Sequence, residues 1–246
     1  MLIPVNILHM QIDELNFPNS INDDSILTHE EVEKFPKSFY THAEAIFHLQ
    51  EVGIDIKQTR VAEWLGVSRA NVSQVVGRMQ NSGLIRINDN LELTDTGLCL
   101  AKCISRRHRI TERFLSEVLN LPWDQVYKET SRWEDVLSPV TEKAMLKMLG
   151  NPKTGPFGNP IPHSRYQEKN MKNLLNVETN KTYSIEKITE ELKRDLTMIN
   201  FLQSHEMLPG SKLNVADAGD FSITISTNGN DFFGVDKFIA KRVFVS

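Results

Sequence analysis

The chain has 246 residues, room for more than one hydrophobic core, with 40% hydrophobic residues and a formal net charge of -4. This is the composition of a folded globular protein. No apolar run reaches the ~18 residues of a membrane span, and the N-terminus has an early acid and no basic stretch, unlike a signal peptide. Two cysteines, Cys99 and Cys103, one helical turn apart, make no disulfide framework and fit a reducing cytoplasm.

In chain order, residues 1–38 form an acidic extension, rich in Asn, Asp and Ser around Asn16–Ser25, with one short helix expected near Thr28–Phe35 and Thr28 as its cap. A first full helix is expected over about Ser38–Val52, with Ala45, Ile46 and Leu49 on its apolar stripe and Gly53 as its stop. A second runs Gln58–Leu65 and turns at Gly66. A third is capped by Ser68 and reaches about Asn81, before Gly83. Ala62, Gly66 and Val72 have the spacing of a helix-turn-helix. On the third helix Val72, Val75, Val76 and Met79 fall at i, i+3, i+4 and i+7 and face a core, while Arg69, Asn71, Ser73, Gln74 and Arg78 point elsewhere. Those side chains suit base edges and phosphates.

Leu84–Asn88 and Asn90–Thr94 read as a hairpin, the wing of a winged helix. A long helix is expected over about Thr96–Leu119, another over Trp123–Leu137, and a third from Ser138-Pro139 to Gly150. Three such helices are too few for a large core of their own, so they are expected to complete the DNA-binding core and offer a dimer surface. Asn151–Ser164 holds four prolines and two glycines and is irregular. Residues 163–179 read as linker. Beyond them Tyr183–Ile188 reads as a strand, Glu190–His205 as a helix, and Lys212–Val215, Phe221–Ser226, Asp231–Val235 and Arg242–Phe244 as short strands of a small, partly closed barrel.

Charge is unevenly placed. Residues 1–35 hold seven acids and one base, net -6, whereas residues 57–113 hold ten Lys/Arg and five Asp/Glu, net +5. The basic segment coincides with the helix-turn-helix, where phosphate contacts are needed.

Several runs together carry a resemblance: Ala62…Gly66…Val72-Ser73-Gln74, Leu93-Thr94…Thr96-Gly97, Arg107-His108-Arg109…Glu112-Arg113-Phe114-Leu115, Arg132-Trp133-Glu134, and Pro156-Phe157-Gly158-Asn159-Pro160-Ile161-Pro162. Over about residues 39–162 the chain resembles the diphtheria-toxin-repressor family of metal-dependent transcriptional repressors. The C-terminal part is more loosely similar to the SH3-like, FeoA-type domain of longer members, through Leu208-Pro209-Gly210-Ser211. The resemblance implies a mainly α fold with small β: a winged helix-turn-helix over 39–97, a helical metal-binding and dimerisation domain over 98–162, and an SH3-like FeoA-type barrel over 180–246. It also implies a homodimer on an inverted-repeat operator of double-stranded DNA.

Metal positions carry over one at a time. His108 and Glu112 match a shared histidine and its partner carboxylate, Glu134 matches the glutamate of a second cluster, and Glu44 matches one used by manganese-responsive members. Asp135 stands where relatives have histidine, Ser131 where they have Cys or Glu, Tyr127 where some have histidine, and Thr41 where they have Met or Asp, with His42 nearby as a substitute and Glu129 as an extra acid. The retained set, Glu44, His108, Glu112, Glu134 and Asp135, is oxygen-rich with one imidazole, which suits Mn²⁺ or Fe²⁺ as corepressor. Gln74 and Ser73 would read bases, with Asn71 and an apolar Ala70 contact. Arg69, Arg78 and Lys57 would hold phosphate. The chain thus reads as a cytoplasmic, non-enzymatic, metal-dependent repressor of metal-homeostasis genes. A metal-independent repressor with decayed ligands is the alternative within regulation. A metal-buffering or metal-dependent hydrolytic protein is the alternative outside it, although no nucleophile–base pair, Gly-rich phosphate loop or H-E-x-x-H motif is present.

Overall fold

The computed structural model describes residues 27–246 apart from positions 54 and 135. The Asn16–Ser25 stretch and the metal candidate Asp135 lie outside the described residues. Helix α1 (His29–Glu33) is capped by Thr28, whose hydroxyl accepts from the Glu31 N–H at 3.3 Å while the Glu31 carboxylate accepts from the Thr28 N–H at 2.8 Å, a reciprocal cap. Val32 then enters the first core, and Tyr40 donates to its carbonyl at 2.9 Å.

Next come α2 (Lys37–Gln50), α3 (Gln58–Leu65) and α4 (Arg69–Asn81). Gly66 takes the left-handed turn between α3 and α4 at φ +67°, and the Ser68 hydroxyl accepts from the Asn71 N–H at 3.2 Å to start α4. Strands β1 (Ile85–Ile87) and β2 (Leu91–Leu93) pair antiparallel as the wing, each shorter than the sequence pattern suggests. Thr94 caps the next helix through the Gly97 N–H at 3.1 Å. A side chain at Gly97 would overlap the Leu84 carbonyl oxygen, so glycine is required where this helix starts against the wing.

The long helix α5 (Asp95–Arg113) continues as a π-helical turn through Val118. Helix α6 (Trp123–Glu134) ends three residues earlier than expected, and α7 (Pro139–Met148) follows with Ser138 as its cap. Ile110, Leu137, Met145 and Ile161 form a small core between α5, α7 and the proline-rich loop. That loop carries Phe157 into the C-terminal core, and a Cβ on Gly158 would overlap the Glu186 carbonyl oxygen. The 156–162 run is therefore the socket in which the C-terminal domain sits, with Asn159 donating to the Ile188 carbonyl at 2.8 Å.

The C-terminal domain holds β3 (Lys172–Asn173), β4 (Lys181–Ile188), α8 (Glu190–Lys193), α9 (Leu196–Ser204), β5 (Lys212–Ala218), β6 (Ser222–Ser226), β7 (Phe233–Asp236), α10 (Lys237–Ala240) and β8 (Val243–Val245). Its sheet order is β3-β8-β4-β5-β6-β7, all antiparallel, with register shifts in β4 and β5. The sheet is SH3-like but open between β3 and β7. Three features depart from the sequence expectation. The linker already contributes β3 and the buried Leu174. The expected Glu190–His205 helix is split, because the Asp195 carboxylate accepts from the Thr197 N–H at 2.8 Å and starts a new helix. The short α10, capped by Asp236, had no periodic signal.

Candidate metal centre and nucleic-acid interface

Helix α4 separates its two faces cleanly. Val72, Val75, Val76 and Met79 are buried, while Arg69, Ala70, Asn71, Ser73, Gln74 and Arg78 are exposed. The Arg78 guanidinium lies 5.2 Å over the Phe39 ring, and the residue remains exposed. Lys57 is exposed beside the wing and donates to the Asp89 carbonyl, and Arg86 adds an exposed charge on β1. The exposed face of α4 therefore offers amide, hydroxyl and cationic donors, and Lys57 and Arg86 add exposed cations beside and on the wing.

Helix α2, of fourteen residues, and α6 both pack on α5, of nineteen residues. Between them Glu44 on α2, His108 on α5 and Glu134 on α6 present ligand atoms within 4.8 Å of one another. His108 Nδ1 is 2.6 Å from a Glu134 oxygen and 3.5 Å from Glu44 Oε1. Glu44 Oε1 is buried and has no hydrogen-bond partner. Burial, and then the neighbouring Glu134 charge, push the Glu44 carboxyl up to about 7. Burial also works against a charged His108, but Glu112, Glu134 and Glu44 outweigh it and lift the imidazole to about 10. The proton on His108 is the positive charge this group of carboxylates shares. One buried oxygen accepts no hydrogen bond, and that fits a cation-binding set of two hard oxygen ligands and one imidazole.

The other ring nitrogen faces a different environment. His108 Nε2 lies 3.1 Å from Glu112, whose two oxygens each accept from Lys193 Nζ at 2.7 Å. Burial favours the neutral acid, but Lys193 and His108 outweigh it and hold the Glu112 carboxyl near 2. Lys193 also pairs with Glu190, and Arg109 reaches Glu190 at 3.1 Å and Glu51 at 2.5 Å. Glu112 is thus set on the far side of the imidazole from Glu44 and Glu134, with a lysine on it.

Residues 94–163 match the iron-dependent repressor metal-binding and dimerisation domain, and residues 40–97 match a Crp-like helix-turn-helix domain. The iron-dependent repressor IdeR of Mycobacterium tuberculosis is 34% identical over 199 residues, covering 76% of this chain and 86% of that protein. The chain belongs to the diphtheria-toxin-repressor family. The diphtheria toxin repressor of Corynebacterium diphtheriae is 32% identical over 204 residues, covering 78% of this chain and 89% of its own length. A manganese-dependent transcriptional repressor solved with manganese superposes with a TM-score of 0.76 at 24% identity, over 84% of this chain and 98% of that one. The manganese regulator SloR gives 0.72 at 24% identity, over 85% and 97%. At that identity the two structures speak for the fold.

Within this family member, several acids and histidines take other roles. His42 is buried and donates from Nδ1 to the Ser38 carbonyl at 2.8 Å, with Nε2 lacking a hydrogen-bond partner and lying outside the cluster. Glu129 pairs with Arg132 at 2.7 Å on the surface. Arg106 binds Glu142 at 2.6 Å, and Arg107 reaches the His29 ring at 2.8 Å, so both act within the chain. His48 escaped the sequence reading. It is buried, its Nε2 lies 3.9 Å from Glu44 Oε1 and 3.1 Å from the Ser105 hydroxyl, and burial keeps it neutral. Its signal was present: Glu44 and His48 are i, i+4 on one helix. Lys193 and Glu190 had no comparable signal, lying about eighty residues from the groups they meet.

Proposed function

We propose that this chain is a homodimeric DNA-binding transcriptional repressor whose operator affinity depends on Mn²⁺ or Fe²⁺, acting in the cytoplasm on an inverted-repeat site in metal-homeostasis genes. The observation that carries the reading is the convergence of Glu44, His108 and Glu134 from three helices, with one buried carboxylate oxygen that accepts no hydrogen bond. These three residues would hold the cation, with Asp135 next in sequence as a further oxygen ligand and Glu112 behind the other face of His108. When bound, the cation supplies positive charge to a buried acidic set in place of the His108 proton.

The rest is done by the chain. Glu44 sits on α2, which packs on α3 and α4 of the helix-turn-helix and also on α5. Drawing Glu44 toward His108 and Glu134 fixes the helix-turn-helix against α5 and α6, and so sets where each protomer carries its recognition helix. Gln74 and Ser73 read base edges, assisted by Asn71 and by Ala70 against a thymine methyl. Arg69, Arg78 and Lys57 hold phosphates. Coupling reaches only as far as the cation's preference for the ordered arrangement. Among the described residues no helix is long and apolar enough to cross a membrane.

The test is an operator titration of the stripped chain, with Mn²⁺ or with chelator. The expected outcome is tight binding only with metal. Equal affinity in both conditions would leave a metal-independent repressor, the second reading, in which the His108 proton alone completes the acidic set.

A further inference from the structure

The two sides of His108 differ in charge balance, and the difference points to a role for Lys193. On one side Glu44 and Glu134 share a single imidazole, and Glu44 Oε1 accepts no hydrogen bond. On the other side Glu112 and Glu190 face two cations, Lys193 and Arg109. With His108 these acids form a second group whose ligand atoms lie within 4.8 Å, the arrangement that would hold a metal ion. It already holds an ammonium. Lys193, Glu112 and Glu190 are all buried.

We propose that the Lys193 ammonium is the resident cation of the Glu112–Glu190 pocket. It takes the place of a metal there, so α5 offers one divalent-cation site per protomer, at Glu44–His108–Glu134, and the C-terminal domain stays fixed to α5 without metal. The count of one rests on the proposed function; the role of Lys193 does not. The lysine is delivered by a short helix tied down on several sides. Glu191 pairs with Arg60 of α3 and with Arg242 at 2.6 Å, Arg194 lies 5.0 Å over the Trp64 ring, and Lys193 Nζ lies 5.7 Å over Phe157. A divalent ion entering the pocket would have to expel a buried ammonium that has two carboxylates and nowhere comparable to go. A neutral side chain at 193 would leave two buried acids short of one positive charge, and a divalent ion would restore it.

The experiment is equilibrium dialysis of the stripped full-length chain against Mn²⁺, with thermal melts in chelator and in Mn²⁺. Wild type is expected to take one Mn²⁺ per protomer. Lys193→Gln should melt lower in chelator, gain more from Mn²⁺ than wild type, and take a second Mn²⁺ that Lys193→Gln/Glu190→Gln does not. Lys193→Arg keeps the charge and should remain at one. The proposal is overturned if folded Lys193→Gln stays at the wild-type count, if Lys193→Arg takes a second ion, or if wild type takes two and Glu190→Gln removes one. Should Lys193→Gln not fold in chelator, the arginine variant and the wild-type count still decide. No Mn²⁺ on wild type but one on Lys193→Gln would refute the proposed function and leave Lys193 as assigned.

Discussion

His108 is one imidazole with two unlike faces, and its chemistry follows from that. Nδ1 looks at Glu44 and Glu134, Nε2 at Glu112. Because three carboxylates raise its pKa to about 10 from 6.5, the metal-free fold gains stability from the proton; that gain is full below 6.5 and is lost as pH climbs toward 10. Glu44, raised to about 7 from 4.5, adds loss of the same sign between 4.5 and 7. The chelated protein should therefore melt at progressively lower temperature from pH 6.5 to 9, followed by calorimetry, and saturating Mn²⁺ should flatten that slope. Cation binding runs the other way. It must displace the His108 proton, so affinity should rise about tenfold per pH unit between 7 and 9, and more steeply below 7 where Glu44 also holds a proton. Glu44→Gln separates the two roles of this acid. It removes a buried charge that repels Glu134, so the chelated variant should melt no lower than wild type. It should also lose more Mn²⁺ affinity than the ~10–100-fold that an outer-shell partner costs. A variant that melts lower and binds Mn²⁺ normally would make Glu44 a structural acid.

At the scale of the element, what was legible in the sequence was what is local. Helix α4 came through because its burial has a 3.6-residue period and its cap, Ser68, is a neighbour in sequence. The wing and the start of α5 were marked by Thr94 and Gly97, both acting within a few residues or on the adjoining strand. Elements made by competition between neighbours were harder: Asp195 breaks an otherwise continuous apolar helix by taking a backbone N–H, and nothing in the periodicity shows it. The candidate site was half legible: the i, i+4 spacing of His108 and Glu112 is local to α5, whereas Lys193 meets Glu112 across 81 positions. For α4 itself the exposed face gives a quantitative expectation. Gln74→Ala should cost about 1–3 kcal/mol on the operator and leave nonspecific DNA binding unchanged. Arg69→Ala should weaken all sequences alike and reduce the salt slope by about one. A gel-shift series across salt separates these; equal loss on all DNA for Gln74→Ala would move base reading elsewhere.

On the scale of the whole molecule, the chain is two substantial cores joined by a thin middle. The DNA-binding core and the C-terminal core are each large, while among the described residues the helical domain's own buried cluster is Ile110, Leu137, Met145 and Ile161. The middle compensates on its inner side with the Gly158 socket and the Lys193 and Arg109 ion pairs. On its outer side it leaves Val136, Val140 and Met148 at 75%, 78% and 68% exposure, large apolar groups close together in sequence on and before α7. A second copy of the chain is the occupant proposed for that surface, since two protomers with one recognition helix each can engage two half-sites at once. Val140→Glu places a charge where the two copies would meet and touches neither the cation ligands nor α4. Sedimentation should then show a monomer at concentrations where wild type is a dimer, with metal content per protomer unchanged. Operator affinity should fall by about 10²–10⁴, because the second half-site contact ceases to be intramolecular. A variant that stays dimeric would place the dimer surface off α7, and one that is monomeric yet binds the operator as tightly as wild type would mean that a single protomer suffices.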